Sequence, residues 1–560
     1  MKSFGAQESQ EGYYWQGAPK WTACLVFWIV LAVALSFAIY TNHAWEDFYI
    51  TYRSSKNLAL GNGLVFTPGE RVQAFTSPLN VLIPAGLSYA AGNNSDTLVL
   101  WLFRVISAAA LAGAAVLLYQ IAKAQSFKFL PIFVLIGLFA TNIRIVDFSI
   151  NGQETGLMMF FLALTLRLLM LPVRANAVFL GIAWAGLMWT RPDGCVYIAI
   201  IAGAFFLFNA GPPDDRPRIR LLKDCFLAGV FAAVLYLPWL IWAWSYYGTP
   251  IPHTIIAKGL GFPMGPASIA QRTISFLMGA IGAGEELQNS FGPIYFQYGG
   301  WPNAVPIFCG YLAWFAAWYW VLPFGNRQTR AVSLAFFLGT WYIDVITPTM
   351  APWYYPNVTI FAIYVLAQIV QQTSDFIDLF KDRSINERIF HNVRSLYRTL
   401  VLAIPTFTAI LLIASAIQFR IQQREIEDGI RKQIGIWLYE NKQSPNDTVF
   451  LEPLGYIGYF SGLKMLDYPG LASPEVVALR KNLPDAPLAM FIAELRPDWL
   501  VLRAEDLDQI RGSGESLMKD QYKAVKVFDV SKQLKSYGQI PGDGYITFDQ
   551  IYYVFKKLSG

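Results

Sequence analysis

The chain has 560 residues, 55% hydrophobic and 16% aromatic but only 14% charged, with a net charge of +5. Soluble domains average about 25% charged residues, so this composition excludes a soluble globular protein and points to a polytopic membrane protein. Basic loops on one side of a membrane account for the mild positive charge, which leaves no case for a nucleic-acid partner.

A spanning helix needs about 20 mostly apolar residues. The chain starts with a cytoplasmic tail, 1–20. The first apolar run is too long for a signal peptide and lacks a small-residue cleavage site. Candidate spans are 21–40, 97–122, 129–145, 156–172, 177–190, 195–208, 226–244, 304–323, 331–346, 357–371 and 400–418, about eleven in all. They make residues 21–418 a transmembrane domain with an outer loop at 41–96. Segment 79–92 is short and interrupted by proline, and reads as an interfacial helix. Cys24, Cys195, Cys225 and Cys309 lie in or beside apolar runs, with no metal-ligand spacing and no disulfide pattern.

Lys and Arg placement sets the orientation. The loops with Lys123 and Lys128, with Arg174, with Arg216, Arg218, Arg220 and Lys223, and with Arg327 and Arg330 read as cytoplasmic. So does the loop with Lys381, Arg383, Arg388, Arg394 and Arg398. The last span then delivers residues 419–560 to the outer face. This domain opens with a polar helix. Strand-like runs TVFLEP, KMLDYP, DWLVLR, YKAVKVFDV and IYYVFKKL follow, with helical segments between them. That alternation predicts a small α/β domain with a largely parallel sheet.

The same topology gathers polar motifs on the outer face: Glu46-Asp47 after the first span, NGQETG with Glu154, and WTRPDG with Arg191 and Asp193. SYYGTPIPHTIIAKG with His253 and Lys258, and APWYYPN with Trp353, Tyr354 and Tyr355, join them. Each has a plain structural reading. Asp47 can cap a helix, Glu154 can offset a helix dipole, and Arg191 and Asp193 can staple a turn. Lys258 and Arg104 can snorkel, His253 is a lone histidine, and the aromatics can form an interfacial belt. Their convergence on one face favours a shared site. Carboxylates supply a base, a nucleophile or a metal ligand. Arg, Lys and His suit a phosphate, and aromatics suit sugar rings or an isoprenoid chain. There is no P-loop and no dinucleotide fingerprint. A base, a phosphate clamp and a membrane interface fit transfer from a lipid-linked phosphate donor.

The ordered motifs EDFYITYRSSKNLALGNGLVFTPGERVQAFTSPL, NGQETGL, WTRPDG and YYGTPIPHTIIAK resemble the GT-C superfamily of integral-membrane glycosyltransferases. Within it they look most like the cell-wall arabinofuranosyltransferase group. GYIGYFSG and DYPGLASPE resemble the outer domain of such proteins. The resemblance implies a GT-C-like helical membrane domain in a bacterial plasma membrane, with a periplasmic C-terminal α/β domain. It implies transfer of a sugar, arabinofuranose, from a polyprenyl-phosphate donor to a glycan or protein acceptor of the cell envelope. Mannosyl transfer or protein glycosylation is the alternative within the superfamily, and transport of a lipid-linked sugar is the alternative of another class. The family often has two aspartates at the acidic pair and an asparagine at the position of His253. The expected roles are Asp47 as catalytic carboxylate, with Glu46 supporting it or sharing a divalent cation, Mg or Mn. Arg191, His253, Lys258 and Arg104 are expected on the donor phosphate. Glu154, Asp193, Trp353, Tyr354 and Tyr355 are expected on sugar or acceptor.

Overall fold

A computed structural model describes residues 20–171, 176–211, 217–260, 265–323, 325–348, 351–379, 387–484, 486–511, 518 and 520–558. Residues 1–19 of the expected tail, and the loop residues Arg174, Arg216, Lys381 and Arg383, lie outside the described residues.

Helices occur at all of the expected spans. They are α1 (Lys20–Thr41), α4 (Asp96–Ala124), α5 (Phe129–Thr141), α6 (Ile143–Ile150), α7 (Thr155–Met170), α8 (Asn176–Thr190) and α9 (Gly194–Leu207). Further along come α10 (Pro217–Tyr247), α14 (Ala304–Trp318), α15 (Arg327–Trp341), α16 (Pro356–Leu379) and α17 (Glu387–Ile421), with α11 (His253–Gly259), α12 (Pro266–Ile281) and α13 (Glu285–Phe291) between α10 and α14. Six are long and apolar enough to cross a membrane, or seven if α5 and α6, bent by 47°, count as one span. The protein is therefore a multi-pass membrane protein. Three apolar helices, α7, α8 and α9, are only 16, 15 and 14 residues long. The expected eleven full spans thus include several short ones: apolar periodicity reports burial, and packing between helices buries a helix as well as lipid does.

The loop between α1 and α4 folds as two helices, α2 (Glu46–Ala59) and α3 (Pro78–Ala90). Ser77 caps α3 by accepting from the Asn80 N–H, and Pro78 takes the first turn, where its missing N–H costs nothing. With 13 residues and Pro84 inside, α3 is not a span.

Beyond α17 the helix continues without a break to Asn441, through a π-helical stretch, Gln422–Arg431. This rod carries Ile426, Ile430, Ile434 and Leu438 at four-residue spacing, a single apolar stripe. The stripe packs against one face of a five-stranded sheet ordered β2-β1-β3-β5-β4. Its strands are β1 (Thr448–Leu451), β2 (Lys464–Asp467), β3 (Trp499–Arg503), β4 (Tyr522–Asp529) and β5 (Ile551–Lys557). Alternate residues divide between the faces, as the pleat requires. Val449, Leu451, Trp499 and Val501 meet the rod, and Phe450, Leu500 and Leu502 pack on the other side with Val476 and Phe491. Ile50, Phe66 and Ala74 of the α1–α4 loop join the rod-side cluster, so the domain is sealed onto the membrane part by apolar contact.

The sheet is mixed rather than largely parallel. β1 pairs in parallel with β2 and β3, while β5 is antiparallel to both β3 and β4. The segment between β4 and β5 returns the chain to the end it left, so no crossover is made. β4 is mostly exposed and carries Lys523 and Lys526, which suits an edge strand.

Candidate active site

The acidic pair opens α2. Both carboxylates lie in the first helical turn, where the helix dipole favours negative charge. The Trp45 N–H donates to Asn151 O at 2.9 Å, pinning this helix start to the NGQETG loop. Gly152 holds φ +97°, and a Cβ there would collide with the Phe48 ring, so the loop can lie against α2 only with glycine.

Adjacent helical residues point about 100° apart, which separates the two acids. Asp47 faces a polar recess. Burial pushes its carboxyl above the usual carboxylate range; Lys258 opposes this, Glu154 adds to it, Gln153 opposes it and Glu452 adds to it. The buried Gln153 amide lies against the Asp47 carboxyl and helps to lower it by hydrogen bonding.

Arg191 is held between Glu154 (Nη1–Oε1 2.7 Å) and Asp193 (Nε–Oδ1 2.9 Å) and lies 4.6 Å from the Tyr354 ring centroid. Lys258 sits on the short helix α11 (His253–Gly259), 5.5 Å from the Trp353 ring centroid. It makes no ion pair among the described residues. Trp353 is edge-on to Trp45 at 6.2 Å, and Trp45 stacks on Tyr295 at 5.9 Å. Tyr295 has φ +56°, a strained setting for a non-glycine residue, and stacks at 4.1 Å on Tyr545 of the C-terminal domain. Asp47, Glu154, Arg191, Asp193, Lys258, Trp353 and Tyr354 therefore share one site.

Four expected residues do not join it. Glu46 turns to the C-terminal domain. Its Oε1 accepts from the Gly455 N–H at 2.5 Å and its Oε2 lies 3.3 Å from Arg431 Nη1. Gly455 is the residue that fits there, since a Cβ would collide with the Glu46 carbonyl oxygen. Burial raises the Glu46 carboxyl, and Arg431 opposes that. Arg104 is fully buried, donating to the carbonyls of Ile150 and His43 and to Asn42 Oδ1, so it ties helix ends together rather than meeting a ligand. Tyr355 is buried with its hydroxyl on Asp344 Oδ1 at 2.7 Å. His253 donates its backbone N–H to Gln73 O at 3.2 Å. Its imidazole is held low by burial, against the pull of the Ser473 and Gly470 backbone. It packs on the C-terminal domain.

The pair does not fit a divalent cation. Glu46 is committed to Arg431 and Gly455 on a side of the helix that Asp47 does not share. Among the described residues no group of three His, Cys, Asp or Glu side chains is placed to hold a metal ion.

Sequence reasoning missed Gln153, Tyr295, Tyr545, Glu452 and Arg431. Gln153 lay inside NGQETG but was passed over because it does not titrate. Tyr295 sits in GPIYFQYGG, whose turn residues flag a shaped loop. Arg431 is one basic residue on a polar helix, and nothing in the chain distinguishes it from its neighbours.

Residues 416–553 match the family described as Domain of unknown function (DUF8728). The chain is similar to the terminal β-(1→2)-arabinofuranosyltransferase of Corynebacterium glutamicum, 29% identical over 237 residues, covering 38% of this chain and 32% of that protein. The enzyme of the same name from Mycobacterium tuberculosis is 30% identical over 232 residues, covering 38% of this chain and 34% of that protein. The chain thus spans about a third of the length of the curated relatives it matches. Among solved structures, ArnT from Cupriavidus metallidurans bound to undecaprenyl phosphate gives a TM-score of 0.49 at 12% identity, covering 97% of this chain and 99% of that one. The apo form gives 0.47 at 11% identity, covering 89% and 96%. The resemblance read from the motifs is thus met by sequence similarity to arabinofuranosyltransferases.

Proposed function

We propose that the protein is a membrane glycosyltransferase. It moves a sugar, arabinofuranose, from a polyprenyl-phosphate donor to a cell-envelope acceptor, at the periplasmic face of a bacterial plasma membrane. One observation carries the reading: a half-buried carboxylate, Asp47, lies beside the cation Lys258 at the ends of apolar helices. Similarity to two arabinofuranosyltransferases supports the sugar.

Asp47 takes the proton of the acceptor hydroxyl. The hydroxyl oxygen then bonds to the anomeric carbon as the bond from that carbon to the phosphate oxygen breaks. Burial raises Asp47, and a general base is most effective when its conjugate acid titrates near the working pH. Lys258 neutralises the departing polyprenyl phosphate. Arg191 has its charge offset by Glu154 and Asp193, so it shapes the recess and offers its remaining N–H groups. Gln153 steadies the Asp47 carboxylate through its amide. Trp353 and Tyr354 give the sugar or the first isoprene units an apolar wall. Purified protein, a polyprenyl-phosphoryl arabinofuranose and a neutral arabinan acceptor test this. Wild-type protein should turn over, and Asp47→Asn should not; equal rates for the two would refute the assignment.

A further inference from the structure

Next to the site at Asp47, and sharing Tyr295, Tyr545 and Glu452 with it, the C-terminal domain and the Tyr295–Tyr298 loop enclose a cavity of about 360 Å³. Its position follows from the order of the strands. The chain runs from β1 outward to β2, then jumps back across β1 to β3, so the direction of winding reverses between β1 and β3. The intervening helices fall on opposite faces. Leu454 and Ile457 pack on the rod side, and Val476 and Phe491 pack on the other. Two parallel strands that part in this way leave a crevice beyond their carboxyl ends, a recurrent place for ligands in open α/β sheets. Glu452 directly follows β1 and Arg503 ends β3, and both line the cavity. Its volume lies within the about 300–1,000 Å³ of small-molecule sites.

The lining chemistry narrows the ligand. Among the described lining residues Arg503 is the one cation; it pairs with Glu452 at 2.6 Å and with Asp549 at 2.6 Å, a carboxylate that Arg431 also holds. Asp506 adds a further carboxylate to the wall. A phosphate or uronate would meet net negative charge. A neutral polyol would find several acceptors for its hydroxyls. The rings of Tyr298, Tyr468 and Phe548 supply flat apolar faces of the kind that sugar C–H groups cover.

The cavity is also joined to Asp47. Trp45 stacks on Tyr295 at 5.9 Å, Tyr295 meets Tyr298 at 5.6 Å, and Tyr298 meets Phe548 at 5.9 Å. A ribbon of rings thus leads from the residue preceding the acidic pair into the cavity.

We infer that this cavity is the binding subsite for a neutral glycan acceptor, whose terminal hydroxyl reaches Asp47 along the Trp45–Tyr295–Tyr298 ribbon. The inference rests on the glycosyltransferase reading for the acceptor's role, but not for its binding. The test uses the full purified chain in nanodiscs. Saturation-transfer NMR and titration measure binding of a neutral arabinofuranosyl trisaccharide and of trigalacturonate, without donor. The trisaccharide should bind and trigalacturonate should not. Glu452→Gln, at a half-exposed carboxylate, and Phe548→Ala should each weaken trisaccharide binding at least tenfold. Both should raise the acceptor KM by a similar factor, with the donor KM and the thermal unfolding midpoint unchanged. Absence of trisaccharide binding, equal binding of trigalacturonate, or unaltered affinity in both variants would overturn the inference. So would an equal rise in the donor KM, which would assign the cavity to the donor. Trisaccharide binding to a protein that never consumes donor would leave the subsite standing and remove the proposed function. Turnover with an unaltered acceptor KM in both variants would do the reverse.

Discussion

The two sides of the first turn of α2 carry the same chemistry and have opposite fates. On one side Asp47 faces a recess with Lys258, Gln153 and the Glu154–Arg191 pair. On the other, Glu46 enters a closed chain of charges. Arg431 joins Glu46 (3.3 Å), Glu427 (2.9 Å) and Asp549 (2.5 Å), and Asp549 joins Arg503 (2.6 Å). Every residue of the second side is ion-paired, with Arg431 Nε alone left without a hydrogen bond among the described residues. On the first side Lys258 has no ion pair among the described residues, only the Trp353 ring and the Asp47 charge nearby. Unmet groups are what a ligand completes, and met groups are what hold two parts of a chain together.

Mutations can break that comparison. The largest expected effect is on turnover: Asp47→Asn should lower kcat by about 10²–10⁴-fold, the usual worth of a positioned general base, as read in the donor assay. Next is stability on the Glu46 side. Arg431→Leu takes the cation from buried Glu427 and leaves Asp549 with Arg503 alone, and removing one partner of a buried ion pair costs about 3–5 kcal/mol. A lowered unfolding midpoint and a protease-sensitive C-terminal domain should report it, and unaltered melting would mean that the network ties nothing together. Lys258→Ala should reduce donor kcat/KM by about 10–100-fold, the range for a hydrogen bond to a charged group, and should spare acceptor KM.

Smaller effects come from protons. Asp47 is raised in the folded protein, so its ionisation weakens the fold as pH climbs from the unfolded pKa through the folded one. At neutral pH Asp47→Asn should therefore melt above wild type while losing activity, a pairing that a merely structural acid would not produce. By the same sign, kcat/KM of the wild type should rise with pH, with a midpoint above the ordinary aspartate value of about 3.9. Smallest of all, Glu46→Gln should change stability by about 1 kcal/mol or less, since the glutamine oxygen can still accept from Gly455 and Arg431 keeps two partners. Chelation by EDTA should leave turnover unchanged, and a metal-restored rate would sink the assignment of Glu46 to the interface.

Much of the fold was legible in the chain because local rules govern it. Apolar length placed the helices, Pro84 marked α3 as a non-span, and strand-like runs located all five strands. The sheet's mixed pairing was not legible, because strand runs carry no direction. Four expected site residues went elsewhere for related reasons. Arg104 and Tyr355 found carbonyl and carboxylate partners in the packed interior, which residue type alone does not reveal. His253 met the C-terminal domain, more than 200 residues away in sequence. Glu46 met Arg431 across a wider gap, 385 residues.

The sequence by itself determined that this is a multi-pass helical protein with a C-terminal α/β domain, and that an acidic pair opens a helix beside polar motifs. Hydrophobic length and periodicity are properties of contiguous residues, so they survive without coordinates. Only the tertiary structure decided which acid faces the recess and which faces the interface. The roughly 100° step between helical neighbours separates the two side chains. Which of them meets Lys258 and which meets Arg431 is then set by contacts between segments far apart along the chain.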